Sequence, residues 1–265
     1  MNMFGFIGTG NMGGALAKAV AAKCPEEVVL SNRTMAKAEA LAKTLNCRVD
    51  TVENVAWECQ YLFLGVKPQM MADLLKEIAP VLEKREDLIL VSMAAGLTIA
   101  DIQCMAGKCY PVIRIMPNTP VAVGEGVVLY TVSETVTVEM KNAFCEALSG
   151  AGLLDEIPEK LMDAGSAVSG CGPAFACLFV EALADGGVAC GLPRAKALTY
   201  AAQMLKGTAK LILESGEHPG KLKDAVCSPG GSTIAGVRSL EQGNFRGSTI
   251  DAVESAFHRT KELVK

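Results

Sequence analysis

The 265-residue chain is predicted to be an α/β protein in two parts: a doubly wound sheet over residues 1–158 and an all-helical remainder over 159–265. Three observations predict this. Short apolar runs alternate with helix-forming stretches through the first part, the pattern of largely parallel strands with helices on both faces. After Pro158 strand-like runs stop, and segments rich in Ala, Leu, Lys and Glu follow, broken by Gly-Pro or Gly-Leu-Pro. A glycine turn also separates the first apolar run from the first helix.

The first strand is Met3-Phe-Gly-Phe-Ile7. Gly8-Thr9-Gly10-Asn11-Met12-Gly13 follows it, then the helix-forming stretch Gly14–Ala22. Strand, G-x-G-x-x-G and helix in that order are a dinucleotide-binding fingerprint. Gly8 permits the tight turn. Gly10 has no Cβ to keep a pyrophosphate off the backbone, and Gly13 lets the helix pack close to the strand. The helix start then offers free N–H groups and the positive end of its dipole. Ile7, Gly8, Thr9, Gly10, Asn11 and Met12 are therefore candidate cofactor residues.

Val28–Leu30 reads as the second strand, followed by a helix over 35–45. Further strands are expected at 47–49, 61–64, 88–91, 111–115, 127–131 and 153–157, with a mixed end to the sheet. The first part is thus of Rossmann type. In the second part, helices are expected near 159–168, 173–189, 193–215, 219–227, 231–241 and 248–264. Pro173, Pro193 and Pro219 stand where helices start, a position proline tolerates. A helical array of this size buries its apolar surface by packing on a second subunit, so a homodimer or larger homo-oligomer is expected.

Half of the residues are hydrophobic, a fifth are charged, and the net charge is −4. This suits a well-buried globular enzyme. It makes nucleic acid and anionic membranes poor partners. No signal peptide is read before the first strand, and no uninterrupted apolar stretch reaches the ~18 residues of a membrane span, so a cytoplasmic protein is expected. The ten cysteines are scattered, without C-x-x-C, and are read as buried and reduced; no metal site is expected.

The end of the second strand bears on the ribose. NAD sites place an acid there, whereas this chain has Ser31-Asn32-Arg33-Thr34. Arg33 attracts a 2′-phosphate, and Ser31, Asn32 and Thr34 can hydrogen-bond it. NADPH is therefore the expected cofactor, with NADH possible; the other reading of Arg33 is a surface residue opening a helix. Three more loops fall at strand ends: Gly65-Val66-Lys67-Pro68, Ser92-Met93-Ala94-Ala95-Gly96 and Met116-Pro117-Asn118-Thr119-Pro120. Val66, Lys67, Pro68, Met93, Ala94, Ala95 and Asn118 join the cofactor candidates, the small residues letting a nicotinamide ring lie near backbone.

Two turns in the helical part, Ser169-Gly-Cys-Gly-Pro173 and Cys227-Ser-Pro-Gly-Gly-Ser-Thr-Ile234, lead into helices and are read as presenting N–H groups to a small anion. Capping alone also accounts for a hydroxyl before a helix.

End to end, the chain resembles the pyrroline-5-carboxylate reductases. The resemblance rests on Gly8–Gly13, Val66–Pro68, Ala94–Gly96, Met116–Pro120, Ser169–Ala174, Ala182–Gly187, Gly191–Arg194, His218–Gly220, Leu222–Asp224 and, most specifically, Ser228–Ile234. It implies hydride transfer from NAD(P)H to the C=N bond of Δ1-pyrroline-5-carboxylate, giving L-proline. It also implies a substrate site at Ser228, Gly230, Gly231, Ser232, Thr233 and Glu159. Thr233 matches the family's hydroxyl on the ring nitrogen and is the catalytic candidate. Cys171, Phe175 and Ser232 depart from common family residues without affecting the reaction type. A β-hydroxyacid dehydrogenase would place a lysine after Gly172, where Pro-Ala-Phe-Ala-Cys-Leu stands instead. A purely regulatory nucleotide binder would not need the Ser228–Ile234 segment.

Overall fold

Apolar runs bounded by glycine or polar residues become the strands of one sheet: β1 (Phe4–Ile7), β2 (Val28–Ser31), β3 (Arg48–Val49), β4 (Tyr61–Leu64), β5 (Ile89–Ser92), β6 (Val112–Pro117), β7 (Gly126–Val132) and β8 (Gly152–Glu156). The computed structural model describes residues 3–262. The strand order is β3-β2-β1-β4-β5-β6-β7-β8. All pairings are parallel except β6 with β7, which are antiparallel. The chain passes between those two through a short 3-10 turn over Thr119–Val123, too short for the crossover that a parallel pair needs.

Helices α1 (Asn11–Ala21), α2 (Met35–Leu45), α3 (Val52–Glu58), α4 (Met71–Leu82), α5 (Ile99–Ala106) and α6 (Val138–Leu148) connect the strands. β1, β2, β4 and β5 are buried along their whole length, as expected of strands covered on both faces. Alternate residues feed two cores. Phe6, Leu30, Phe63 and Phe144 lie in one, and Leu62, Leu64, Leu75 and Leu90 in the other. The Phe6 and Phe63 rings stack with centroids 4.3 Å apart. Because β1 sits between β2 and β4, the winding reverses there. This is the switch point at which open α/β sheets bind ligands.

The described residues form two compact units, 3–171 with 256–262, and 172–255. The break lies beyond the boundary expected at 158. The reason is α7 (Met162–Ser169), which belongs to the sheet unit: Arg114 of β6 pairs with Asp163 at 3.3 Å, and the Asn118 side chain donates to the Ser169 carbonyl at 2.9 Å.

In the second unit run α8 (Gly172–Ala189), α9 (Arg194–Ser215), α10 (Pro219–Val226) and α11 (Ser232–Gln242). The last helix, α12 (Phe245–Glu262), begins three residues earlier than expected from sequence. The hydrophobic residues buried in this unit are Ala184, Ala197 and Ala201. One helical stretch bears on the expectation that no uninterrupted apolar run spans a membrane. The stretch Glu159–Ala189 contains an 18-residue window of mean hydropathy 1.6, long and apolar enough to cross a membrane by length and composition alone. Charged and small residues interrupt it, so it is not an uninterrupted apolar run. In the structure it is broken at Gly170–Cys171, and α8 carries Glu181 and Asp185.

Candidate active site

The glycine turn is built from close backbone contacts. Gly8 has φ +97°, its N–H donates to the Ser31 carbonyl at 2.9 Å, and Gly65 N–H donates to the Ile7 carbonyl at 2.7 Å. A Cβ on Gly8 would overlap the Gly65 carbonyl, and one on Gly13 would overlap the Gly8 carbonyl. Gly10 differs: a Cβ there meets nothing within 4 Å. It is also the N-cap of α1, with no side-chain cap bond and no acid in the first turn. The buried Thr9 hydroxyl has no partner. An open approach, free N–H groups and an orphaned hydroxyl fit a pyrophosphate.

A 510 Å³ cavity opens at the switch point. Ile7, Gly8 and Gly10 line it from the glycine turn. Asn32, Arg33, Thr34 and Lys37 line it from the β2 side, and Gly65, Val66 and Lys67 from the β4 end. Asp73 and Glu77 of α4 complete its charged lining. Among the described residues none of these five charged side chains forms an ion pair.

Several sequence-predicted residues do something other than expected. Ser31 is wholly buried at the end of β2; its hydroxyl has no partner and does not line the cavity, because strand pairing with Ile7 turns it inward. The Asn32 side chain lines the cavity, but its amide is engaged: Oδ1 accepts from Thr9 N–H at 3.3 Å, and Nδ2 donates to the Thr34 carbonyl at 3.1 Å. It ties the glycine turn to the Arg33 segment.

Asn118 is likewise engaged, accepting from Val127 N–H at 2.9 Å besides its bond to Ser169. Glu159 accepts from Ile99 N–H at 2.8 Å and pairs with buried Arg114 at 3.2 Å. It thus secures the start of α5, both bonds falling on Oε1. Pro68 opens a 3-10 turn outside the cavity lining, and Ala94 is buried in the core against which the sheet packs. Asn11 and Met12 occupy the first turn of α1, while Met93 and Ala95 pack against core clusters beyond the cavity.

Beside α5, Thr98 and Asp101 form a reciprocal cap. Asp101 accepts from Thr98 N–H at 2.8 Å, and Asp101 N–H donates to the Thr98 hydroxyl at 3.1 Å. The hydrogen bond from the Thr98 side chain holds the Asp101 carboxyl below its ordinary value.

In the helical unit, Ser228-Pro-Gly-Gly turns into α11. Gly231 N–H donates to the Ser228 carbonyl at 3.0 Å, and Gly230 has φ +68°. A Cβ on Gly231 would overlap the Ser228 hydroxyl, so Ser228 packs the turn from within. Gly231 is the N-cap, without a side-chain cap bond, and the first turn holds no acid. The N–H groups of Ser232, Thr233 and Ile234 have no carbonyl four residues back inside the helix. The other anion-binding turn read from sequence is corrected. Gly170 and Cys171 N–H both donate to the Ser166 carbonyl, at 2.8 and 3.1 Å, and close α7.

All ten cysteines are free. Only Cys59 is fully buried, its thiol pushed up to about 12 by burial, and Cys104, Cys109, Cys177 and Cys190 are exposed. Their apolar sequence neighbours are poor guides because many of those neighbours lie on helix faces left uncovered. Sequence reasoning also missed Lys37, whose signal was a cation in the first turn of a helix, and Gly65, the steric partner of Gly8.

Comparisons with known proteins bear on the fold and the family. Residues 159–263 match the family model for pyrroline-5-carboxylate reductase dimerisation, and residues 3–96 match one for NADP oxidoreductase, coenzyme F420-dependent. The chain is 39% identical to a pyrroline-5-carboxylate reductase of Pisum sativum, covering 98% of this chain and 95% of that one. It is 41% identical to one of Synechocystis over 98% of both chains. A crystal structure of the Plasmodium falciparum pyrroline carboxylate reductase with NADP bound superposes with a TM-score of 0.88 at 32% identity, covering 100% of this chain and 98% of that one. The protein is an NAD(P)H-dependent oxidoreductase with a Rossmann-type sheet and a helical dimerisation region. The chain belongs to the pyrroline-5-carboxylate reductase family.

Proposed function

We propose that the reaction of this family, reduction of the C=N bond of Δ1-pyrroline-5-carboxylate to L-proline, is carried here by two anion-receiving helix starts. One is α1 after Gly10, for the pyrophosphate of NADPH. The other is α11 after Gly231, for the substrate carboxylate. The observation that carries the reading is that both starts lack a side-chain cap and an acid in the first turn. Each leaves its N–H groups to a ligand.

When bound, the cofactor supplies a hydride to the ring carbon of the C=N bond. The nitrogen needs one proton, which comes from solvent or is already on the imine. An iminium is strongly electrophilic, so the chain's main task is holding the ring in place. Ser232 and Thr233 backbone N–H groups receive the carboxylate, and the Thr233 hydroxyl hydrogen-bonds the ring nitrogen. Gly230 and Gly231 shape the turn, with Ser228 packed beneath it. At the dinucleotide end, Arg33 faces the 2′-phosphate and favours NADPH over NADH. Glu159 acts at one remove, through the start of α5.

The exposed apolar faces of the helical unit serve self-association, as a dimer or as a larger assembly of dimers. With ten free thiols and a net charge of −4, a reducing cytoplasmic setting without membrane or nucleic-acid partners fits the chain.

The test is loss of NADPH absorbance on adding pyrroline-5-carboxylate, with a 2-hydroxyacid plus NADP as control. Turnover is expected only with the imine. Thr233→Ala is expected to lower kcat/KM about a hundredfold while NADPH binding persists. A near-wild-type rate would remove Thr233 from this role.

A further inference from the structure

Two cations, Arg33 and Lys37, stand at the N-terminal end of α2. Arg33 precedes the N-cap Thr34, and Lys37 lies in the first helical turn. Helix dipoles favour acids there and disfavour bases. Yet α2 has no acid in its first turn and no side-chain cap bond. Both cations line the 510 Å³ cavity, as do the carboxylates of Asp73 and Glu77 on α4. Neither cation pairs with either carboxylate. The cavity therefore carries Arg33 and Lys37 on the α2 wall, Lys67 at the β4 end and the two carboxylates on α4, with the apolar side chains of Val52, Val66 and Leu74 also lining it. Asn32 fixes the cationic wall through its bonds to Thr9 and Thr34.

We infer that Lys37 is a second specificity-determining residue for the 2′-phosphate of NADPH, acting beside Arg33. This rests on the reading of the cavity as the adenosine end of the dinucleotide site. A dianion at the α2 start meets the Arg33 guanidinium, the Lys37 ammonium, the Thr34 hydroxyl and unbonded N–H groups together. It also relieves the conflict between two cations and the dipole. Without Lys37 the lining would hold two cations, Arg33 and Lys67, against two carboxylates. Lys37 tips it to three against two and puts two cations side by side at the α2 start, which suits a doubly charged group. A 2′-hydroxyl has no charge to meet either cation, so NADH gains little from Lys37.

The experiment measures KM for NADPH and for NADH, and inhibition by 2′-AMP, in the wild type and in Lys37→Ala, Lys37→Arg, Lys37→Glu and Arg33→Ala. Lys37→Ala is expected to raise KM for NADPH and Ki for 2′-AMP about tenfold, with KM for NADH moving less than twofold. Lys37→Arg should recover most of the loss. Lys37→Glu should shift the NADPH-to-NADH ratio further, while its melting temperature holds or rises, since an acid in the first turn suits the dipole. A merely structural lysine would not separate those two readouts. If Arg33→Ala shifts the cofactor ratio and Lys37→Ala does not, the inference is overturned and the NADPH reading stands. If neither shifts it, both fail. Equal rises in both KM values for Lys37→Ala also overturn it.

Discussion

The sheet unit and the helical unit handle the same kind of residue in opposite ways. In the sheet unit, Phe6, Leu62, Phe63, Leu64 and Leu90 are essentially inaccessible. In the helical unit, Leu178 is 67% exposed, Leu213 81% and Ile250 58%. A 410 Å³ groove lined by Phe175, Leu178, Phe179, Leu240 and Phe245 lies on its surface. One unit completes its core within a single chain; the other leaves apolar surface far beyond what isolated exposed residues explain. The match of 159–263 to a dimerisation family is in keeping with this, since self-association covers apolar surface of this kind.

The most severe way to break the contrast is to place a charge on the helical unit's open face. Leu178→Glu alters a side chain already exposed in the single chain, so it leaves the sheet unit intact. It buries a carboxylate once two copies meet. The expected result is dissociation to monomer by light scattering, with the dimer dissociation constant raised by about a hundredfold or more. Unchanged mass at micromolar concentration would mean that this face is not the interface.

Next in size is a test within the sheet unit, using two glycines three residues apart. Gly13→Ala forces a Cβ against the Gly8 carbonyl, so it is expected to cost about 2–4 kcal/mol of stability. Gly10→Ala meets nothing within 4 Å and is expected to fold normally. Its methyl occupies the approach of the pyrophosphate, so NADPH affinity should fall about tenfold or more. Thermal melts with and without NADPH separate the two outcomes. Equal stability loss in both would remove the distinction between packing glycine and binding glycine.

These glycines show what sequence can and cannot reveal. Gly8, Gly10 and Gly13 were legible because a strand, a turn and a helix are local, and so is the fingerprint they form. The strands and most helices were legible for the same reason: apolar runs and helix formers announce themselves within a few residues. What stayed hidden depends on distant partners. Glu159 meets Ile99 across sixty positions, and Asn118 meets Ser169 across fifty-one, so both looked like free polar groups. Ser31 looked available until strand pairing turned it inward. Lys37 carries a local signal, a cation where the dipole disfavours one, but its meaning needs the cavity wall opposite it.

The smallest expected effect sharpens the contrast at the level of helix ends. In the sheet unit, Thr51, Thr98 and Thr137 cap α3, α5 and α6 with their side chains, and in the helical unit His218 caps α10, whereas α9 and α11 have no such bond. Of these caps only that of α5 is reciprocal, Thr98 and Asp101 each satisfying the other's N–H. Asp101→Ala removes one half of the Thr98–Asp101 cap and is expected to cost about 1 kcal/mol. The carboxyl of Asp101 is held below its ordinary value, so its contribution is fully present above the unfolded aspartate pKa of about 3.9. The contribution fades as pH falls through the lower folded value. The difference in stability between wild type and Asp101→Ala, followed by urea unfolding, should therefore be constant from neutral pH down to about pH 5 and shrink below pH 4. A difference that grows on acidification would show that the carboxylate is not held by Thr98, and that the α5 cap owes its stability to Glu159 instead.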